Sequence, residues 1–303
     1  MEQRVGQDEK MVVALIDKNP KTQFAIGHNY PVFTNLQSLK QDIADYAPDW
    51  VFIFIKYGMD QIREAIKNTK AAYIFADYRN PLPEFALQLS HMSDITVTSW
   101  KQPSLWKTLK NPHVIRRATD PNKFKPLPGI KPIYDVVFAG NNVGGKPRMK
   151  VLEFLHKNFN LYIVGAGWPK KFNQLGRKTG SYVSLNKHLN EGKVTVDIFN
   201  RTDMVKEGVS YYTSNRPYQN MAVGRPHLQP YVPGVQEFFE KGYLDYKDLD
   251  QLKTQIEILL STSQEKRDEI GRVQRNEIVT RHTYAHAWAY MENIIEKNLF
   301  KSK

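Results

Sequence analysis

The sequence predicts a two-domain α/β protein with a parallel sheet in each domain. Three observations predict it. Short apolar runs alternate with helical stretches through both halves, the pattern of strands buried on both faces. A proline-dense segment at residues 119–132 (TDPNKFKPLPGIKP) separates the two series. A length of 303 residues also favours two domains over one.

In the first half, residues 11–17 (MVVALID) form a compact apolar run. Helical spacing follows over 36–46 and ends before Pro48. Residues 50–56 (WVFIFIK) read as a buried strand, 61–68 as a short helix, 71–76 (AAYIFA) and 95–100 (ITVTSW) as two more strands. After the proline segment, 135–139 (DVVFA), 161–164 (LYIV), 194–199 (VTVDIF) and 227–231 read as strands. Residues 149–158, 248–260, 264–281 and 284–298 read as helices. The domains are expected at 1–120 and 121–282, with a final helix at 283–303 packing back on the first domain.

Composition narrows the function classes. The chain has no cysteine, which excludes disulfides, thiolate metal sites and a cysteine nucleophile, and it fits a reducing compartment. No apolar run approaches the roughly 18 residues of a membrane span. The first ten residues are polar rather than a secretory signal, so a cytoplasmic protein is expected. The net charge of +12 is unevenly placed: residues 101–178 carry sixteen Lys/Arg against three Asp/Glu, net +13, so the remainder nets −1. A centre this basic points to a polyanionic partner such as duplex DNA held through 101–178, to a small phosphate ligand, or to a solvated basic surface.

Three glycine- or polar-rich turns follow strands of the second half: 140–145 (GNNVGG), 165–168 (GAGW) and the stretch from Asn200 to Arg216. Turns beyond strand carboxyl ends are where open α/β sheets bind ligands, and glycine lets backbone approach a phosphate or sugar. Ser214 suits an N-cap, Pro217 a first turn and Gly224 the residue past a helix end. That helix start, with Arg216 beside it, is read as a phosphate seat. Neither G-x-G-x-x-G nor a Walker motif occurs, which argues against a nicotinamide oxidoreductase or a P-loop NTPase. His282 and His286 are spaced i, i+4, but no third ligand is visible and no tightly bound metal is expected.

Five pieces, in order, resemble one family. They are residues 119–126 (TDPNKFKP), 135–141 (DVVFAGN), 161–168 (LYIVGAGW), the pattern S-x-R-x-Y-Q-x-x-A-x-G from Ser214 to Gly224, and R-H-T-Y-x-H from Arg281 to His286. Together they are similar to the nucleotide-sugar-binding domain of GT-B glycosyltransferases, particularly the spore-maturation (CgeB-like) group. The resemblance spans about 120–290 and implies two Rossmann-like domains, each with a parallel sheet, facing a central cleft. It implies a nucleotide-sugar donor, most simply a UDP-sugar, held by Gly140, Asn141, Gly165, Gly167, Trp168, Ser214, Arg216, Tyr218 and Gln219. Gln219 departs from the family pattern, where a glutamate bonds the ribose hydroxyls; glutamine keeps hydrogen bonding but supplies no charge.

Sugar transfer needs the leaving diphosphate stabilised. With no D-x-D motif, that falls to Arg216, the helix start and a residue such as Lys146 or Arg148. An inverting enzyme also needs a base, expected from the first domain at a strand's carboxyl end. Asp77 is the first candidate, Asp17 the second and His28 the third; a retaining route needs none, so the stereochemistry stays open. Sugar-modifying enzymes of bacteriophage DNA share this architecture and are basic, so the expected acceptor is a hydroxymethylated base in DNA. A polysaccharide, protein or spore-coat acceptor is the alternative. A non-catalytic nucleic-acid-binding protein on a degenerate scaffold is the third reading, with Gln219 as its mark.

Overall fold

The computed structural model describes residues 13–16, 31–54, 58–75, 82–142, 146–175, 181–199 and 205–299. The chain divides into two compact units, Met1–Ile115 and Arg116–Lys303. Among the described residues no helix is long and apolar enough to cross a membrane.

The first unit holds six parallel strands: β1 (Val13–Ile16), β2 (Val32–Phe33), β3 (Trp50–Ile53), β4 (Lys70–Phe75), β5 (Ile95–Thr98) and β6 (Pro112–Val114). Their order is β2-β1-β3-β4-β5-β6. The helices are α1 (Leu39–Tyr46), α2 (Met59–Ala65), α3 (Glu84–Met92) and α4 (Pro103–Trp106). α1 stops where Ala47 turns left-handed just before Pro48, the right-handed helical region being disfavoured for a residue that precedes proline. β5 is polar yet wholly buried, because its hydroxyls find partners. Ser90 Oγ lies 2.7 Å from Thr96 Oγ1, and Thr98 Oγ1 donates to the Trp100 carbonyl at 2.6 Å. Trp50, Trp100 and Tyr73 fill the core.

The second unit holds β7 (Tyr134–Ala139), α5 (Lys146–Asn158), β8 (Leu161–Val164), α6 (Tyr182–Asn190), β9 (Gly192–Val196), α7 (Arg216–Ala222) and β10 (His227–Pro230). A 3-10 turn (Val235–Phe238), β11 (Asp245–Tyr246), α8 (Leu249–Ser261), α9 (Gln264–Arg281) and α10 (Tyr284–Leu299) follow. The five strands are parallel in the order β11-β10-β9-β7-β8. Val136, Phe138, Ile163, Val194 and Val196 pack with Leu152, Leu252 and Ile256 in one core.

Residues 119–132 are not a free connection. Thr119 bridges Thr283, with its amide on the His282 carbonyl at 3.0 Å. Two buried asparagines of α6 hold the rest: Asn186 Oδ1 accepts from the Lys125 amide and Asn190 Oδ1 from the Leu127 amide, each at 3.0 Å. Arg275 of α9 donates to the Phe124 carbonyl at 3.0 Å. Prolines deny this segment a ladder of its own, so side-chain amides satisfy its backbone.

Helix α9 also fixes α7. Gly271 lies against the end of α7, where a Cβ would sit 2.1 Å from the Gly224 oxygen. Replacing a mid-helix glycine with alanine normally gains about 1 kcal/mol of propensity. Here the backbone clash outweighs it, since overpacking costs roughly 1–3 kcal/mol and a backbone oxygen cannot rotate away. Gly271→Ala is therefore expected to lower stability by about 2 kcal/mol, read from the midpoint of urea unfolding; an unchanged or higher midpoint contradicts this packing.

Candidate functional site

Winding in the second sheet reverses at β7. The chain leaves β7 for β8 on one side and returns to β9 on the other. In such sheets the crevice beyond the carboxyl ends of the two strands at the reversal is the binding position. The residues found there follow β7 (Gly140, Asn141, Asn142), β8 (Gly165 to Trp168) and β9 (Asp197, Ile198).

The first two loops are tied to each other. The Gly140 amide donates to the Val164 carbonyl at 2.9 Å, and the Ala166 amide to Asn141 Oδ1 at 2.9 Å. Asn142 returns two bonds of 2.9 Å, its amide to the Ala166 carbonyl and its Nδ2 to the Gly167 carbonyl. Trp168 Nε1 donates to the Gly140 carbonyl at 2.8 Å, with its ring edge-on to Phe138. A Cβ on Gly165 would lie 2.1 Å from that same carbonyl oxygen, so only glycine lets the loops meet. Gly167 turns left-handed at φ 83° and is exposed. Asn141, Gly165 and Trp168 thus serve the shape of the crevice.

Beside these loops lies a buried charge cluster. Asp197 immediately follows β9 and is 0% exposed. Its Oδ1 accepts from the Ile198 amide at 2.8 Å and pairs with Arg216 Nε at 3.0 Å. Its Oδ2 accepts from Ser214 Oγ at 3.1 Å. Arg148, on α5, is buried; Nε donates to the Ile198 carbonyl at 3.1 Å and Nη1 to the Asn141 carbonyl at 2.9 Å. Both guanidinium groups lie near the Phe138 ring, at 5.5 Å for Arg148 and 5.8 Å for Arg216. Burial, then the charge of Arg216, pushes Arg148 down to about 10, so it stays protonated at neutral pH. Two guanidinium groups around one carboxylate leave the cluster at net +1, which suits an anion.

The predicted phosphate seat is placed differently from expectation. The N-cap of α7 is Asn215, not Ser214, and its side chain makes no cap bond. The Ser214 hydroxyl, one residue earlier, accepts the Arg216 amide at 3.3 Å while donating to Asp197. Gly224 does lie past the helix end, left-handed at φ 80°. Tyr218 offers no ligand surface. Its ring is 0% exposed and packs on Phe239 and His282, and burial pushes its phenol up to about 12. Gln219 is half-buried on the same helix. The base candidates Asp17, His28 and Asp77 lie outside the described residues.

A cavity of about 520 Å³ opens beyond β9, β10 and β11, within the size range of small-molecule sites. Ile198, Phe199, Tyr231 and Tyr246 line it, with Lys150 and Lys247 among its cations. It adjoins the charge cluster, since Tyr246 donates its hydroxyl to the Asp197 carbonyl at 2.8 Å. Sequence reading missed Asp197 and Phe138, both inside runs taken only as strands.

Known proteins resemble this arrangement. The family model described as glycosyl transferase-like matches residues 148–293, from α5 into α10. Anabaena HepE in complex with UDP-glucose is similar in structure at TM-score 0.69 and 10% identity, covering 95% of this chain and 100% of that one. A glycosyltransferase from Rickettsia africae ESF-5 gives TM-score 0.66 at 11% identity, covering 96% and 99%. A mutant of T4 phage BGT in complex with UDP-glucose gives 0.60 at 15%, covering 94% and 99%. No curated protein sequence matches significantly. The chain has the α/β fold of GT-B glycosyltransferases, with two parallel sheets.

The two histidines of the resembling motif differ in burial and in partners. His282 is buried, with Nε2 3.4 Å from Glu277 Oε1, whereas exposed His286 places Nδ1 2.7 Å from Thr283 Oγ1 at the start of α10. Among the described residues no cluster of three or more His, Asp or Glu is arranged to hold a metal ion. His227, at the start of β10, is also buried, with Nδ1 3.1 Å from Thr195 Oγ1. Burial pushes His227 down to about 4; burial and the charge of Arg116 push His282 down to about 3. Both are neutral when folded, while the unfolded chain takes up their protons near pH 6.5. Stability is therefore full above pH 6.5 and is lost as pH falls from there toward 4, at about 1.4 kcal/mol per unit for each histidine. His227→Gln should unfold at lower denaturant at pH 7.5 but lose less stability between pH 6.5 and 4.5 than the parent. Equal losses would remove His227 from the acid sensitivity.

Proposed function

We propose that the protein is a glycosyltransferase that moves a sugar from a UDP-sugar to a hydroxyl of its acceptor. The observation that carries this reading is the buried cluster of Arg148, Asp197 and Arg216, with its excess positive charge at the β7–β9 crevice of a GT-B unit. As the bond between the sugar and the diphosphate breaks, negative charge gathers on the leaving diphosphate. Arg216 and Arg148 meet that charge in a site already stripped of much of its water, where a fixed donor is worth most. The structures of HepE and T4 phage BGT were both obtained with UDP-glucose, which supports a UDP-hexose as the donor. The cavity lined by Ile198, Phe199, Tyr231 and Tyr246 suits a planar ring beside the cluster. Gln219 is assigned to the ribose by the family pattern, and the five ordered motifs support kinship with the spore-maturation (CgeB-like) group.

Asp77, with Asp17 and His28 behind it, remains the assignment for the base that takes the acceptor proton. DNA carrying hydroxymethylated bases is the acceptor we favour. The basic segment supports it: Lys101, Lys107, Lys110, Lys125, Lys157 and Lys170 are all exposed, and cations on a surface track a phosphate backbone.

The test is a donor screen on the purified chain, with UDP- and GDP-sugars, in the presence or absence of duplex DNA containing 5-hydroxymethylcytosine or 5-hydroxymethyluracil. UDP release that depends on DNA is expected, with Arg216→Ala slowing it by about 100-fold or more. Affinity for the duplex should fall steeply between 50 and 200 mM salt, by about 10³-fold if six or more phosphates are held. Release that ignores DNA would move the acceptor to a polysaccharide or protein. If no donor is bound or turned over, the chain is a binding protein on a transferase scaffold.

A further inference from the structure

We propose that Asp197 is a positioning residue: its buried carboxylate holds the Nε edge of Arg216 so that the rest of the guanidinium lies across Gly140, toward the anion in the β7–β9 crevice. This rests on the diphosphate reading of Arg216 above.

The geometry is over-determined at each step. The Asp197 carboxylate cannot swing, because the Ile198 amide holds Oδ1 at 2.8 Å and Ser214 Oγ holds Oδ2 at 3.1 Å. Arg216 then engages Oδ1 through Nε alone, at 3.0 Å. The Ser214 hydroxyl bonds the Arg216 amide at 3.3 Å, so backbone and side chain of Arg216 are both registered to one carboxylate. The far edge of the guanidinium lies over Gly140. Arg216 Nη1 is the atom that a Cβ on Gly140 would meet at 2.8 Å, so glycine there leaves room for the arginine. Arg148 is oriented by other means, through the carbonyls of Ile198 and Asn141. Asp197 therefore sets the direction of Arg216 in particular. An arginine already held along one edge loses less entropy when an anion arrives.

A purely structural ion pair would look the same in a stability measurement. What separates the two is whether the effect of Asp197 on anion affinity passes through Arg216. The experiment is a double-mutant cycle on the full chain, with UDP binding measured by calorimetry for wild type, Asp197→Asn, Arg216→Ala and the double variant. Asparagine keeps the size and an acceptor oxygen while removing the charge. Hydrogen bonds to charged groups are worth about 1.5–3 kcal/mol, so UDP affinity should fall about tenfold in Asp197→Asn and about 100-fold in Arg216→Ala. In the Arg216→Ala background, Asp197→Asn should change it less than about twofold.

A tenfold loss in both backgrounds would overturn the proposal, because Asp197 would then act without Arg216. Unchanged or tighter binding by Asp197→Asn would also overturn it, and would make the carboxylate a brake on anion binding. If wild type binds none of UDP, GDP or dTDP, or Arg216→Ala binds as wild type does, the diphosphate reading itself fails and takes this inference with it. Should Asp197→Asn not fold, Ser214→Ala enters the same cycle. It is expected to lose about threefold in affinity, and only when Arg216 is present; an additive loss counts against the proposal.

Discussion

Asp197 is fully buried at the end of β9, and a carboxylate there is tolerable only because two hydrogen-bond donors, the Ile198 amide and the Ser214 hydroxyl, and a guanidinium surround it. Removing one partner from such a pair leaves an uncompensated buried charge at a cost of about 3–5 kcal/mol. The crevice is thus not a loose set of loops around a ligand. Its charged residues are bound into the end of the sheet, and the strand that carries Asp197 is central, with β7 on one side and β10 on the other. The Asp197 amide donates to the Leu228 carbonyl at 2.9 Å, continuing the β9–β10 ladder past the last residue of the strand. The carboxylate inherits its position from that ladder.

A second layer of polar scaffolding keeps α7 where Arg216 needs it. α9 buries Arg267, Gln274 and Glu277, an unusual set for a helix interior. Each has a backbone task. Gln274 accepts the His227 amide at 2.8 Å and donates to the carbonyls of His227 (3.1 Å) and Gly242 (2.7 Å), pinning the start of β10. Arg267 gathers the carbonyls of Leu259 and Leu260 at the end of α8, each at 3.2 Å. Arg275 joins the carbonyls of Phe124 and Ala222, linking the proline-rich segment to the end of α7. Buried polar groups bonded in this way favour one arrangement of their elements, since a shift of any one leaves further donors stranded.

The apolar strands were legible in the sequence because burial on both faces writes itself as a continuous run. Leu161–Val164 and the helix Gln264–Arg281 stand where the periodicity puts them. The helices that escaped notice share a physical reason. α6 turns Asn186 and Asn190 inward to hold backbone, so its inner face does not look hydrophobic. α3 and α4 follow proline-bearing turns that read only as loop. The site was half legible. Arg216 and the glycine turns showed in the resemblance. Asp197 sat inside VTVDIF as a lone acid in an apolar run, and that anomaly was its available signal, since a buried carboxylate demands a cation. Tyr218 misled for the opposite reason: a motif position was taken as a contact, yet its ring fills the core between Phe239 and His282.

The sequence assigned part of the anion's stabilisation to the start of α7, and under the proposed reading most of it falls to side chains. α7 has seven residues, its N-cap side chain makes no capping bond, and the amide of Arg216 is already held by Ser214. A helix terminus offers roughly 0.3–1 kcal/mol to an exposed anion. Two unit charges about 4 Å apart near a protein surface interact at about 4 kcal/mol, and burial raises that figure. Arg216 is paired on its Nε edge and Arg148 donates to the Ile198 and Asn141 carbonyls, so among Arg148, Asp197 and Arg216 the two guanidinium groups outnumber the one carboxylate. A dianionic diphosphate answers that excess, whereas a neutral sugar or a lone hydroxyl does not. The magnitudes therefore favour an anion bound by oriented arginines, with the glycine loops supplying room and the helix contributing mainly by aiming Arg216.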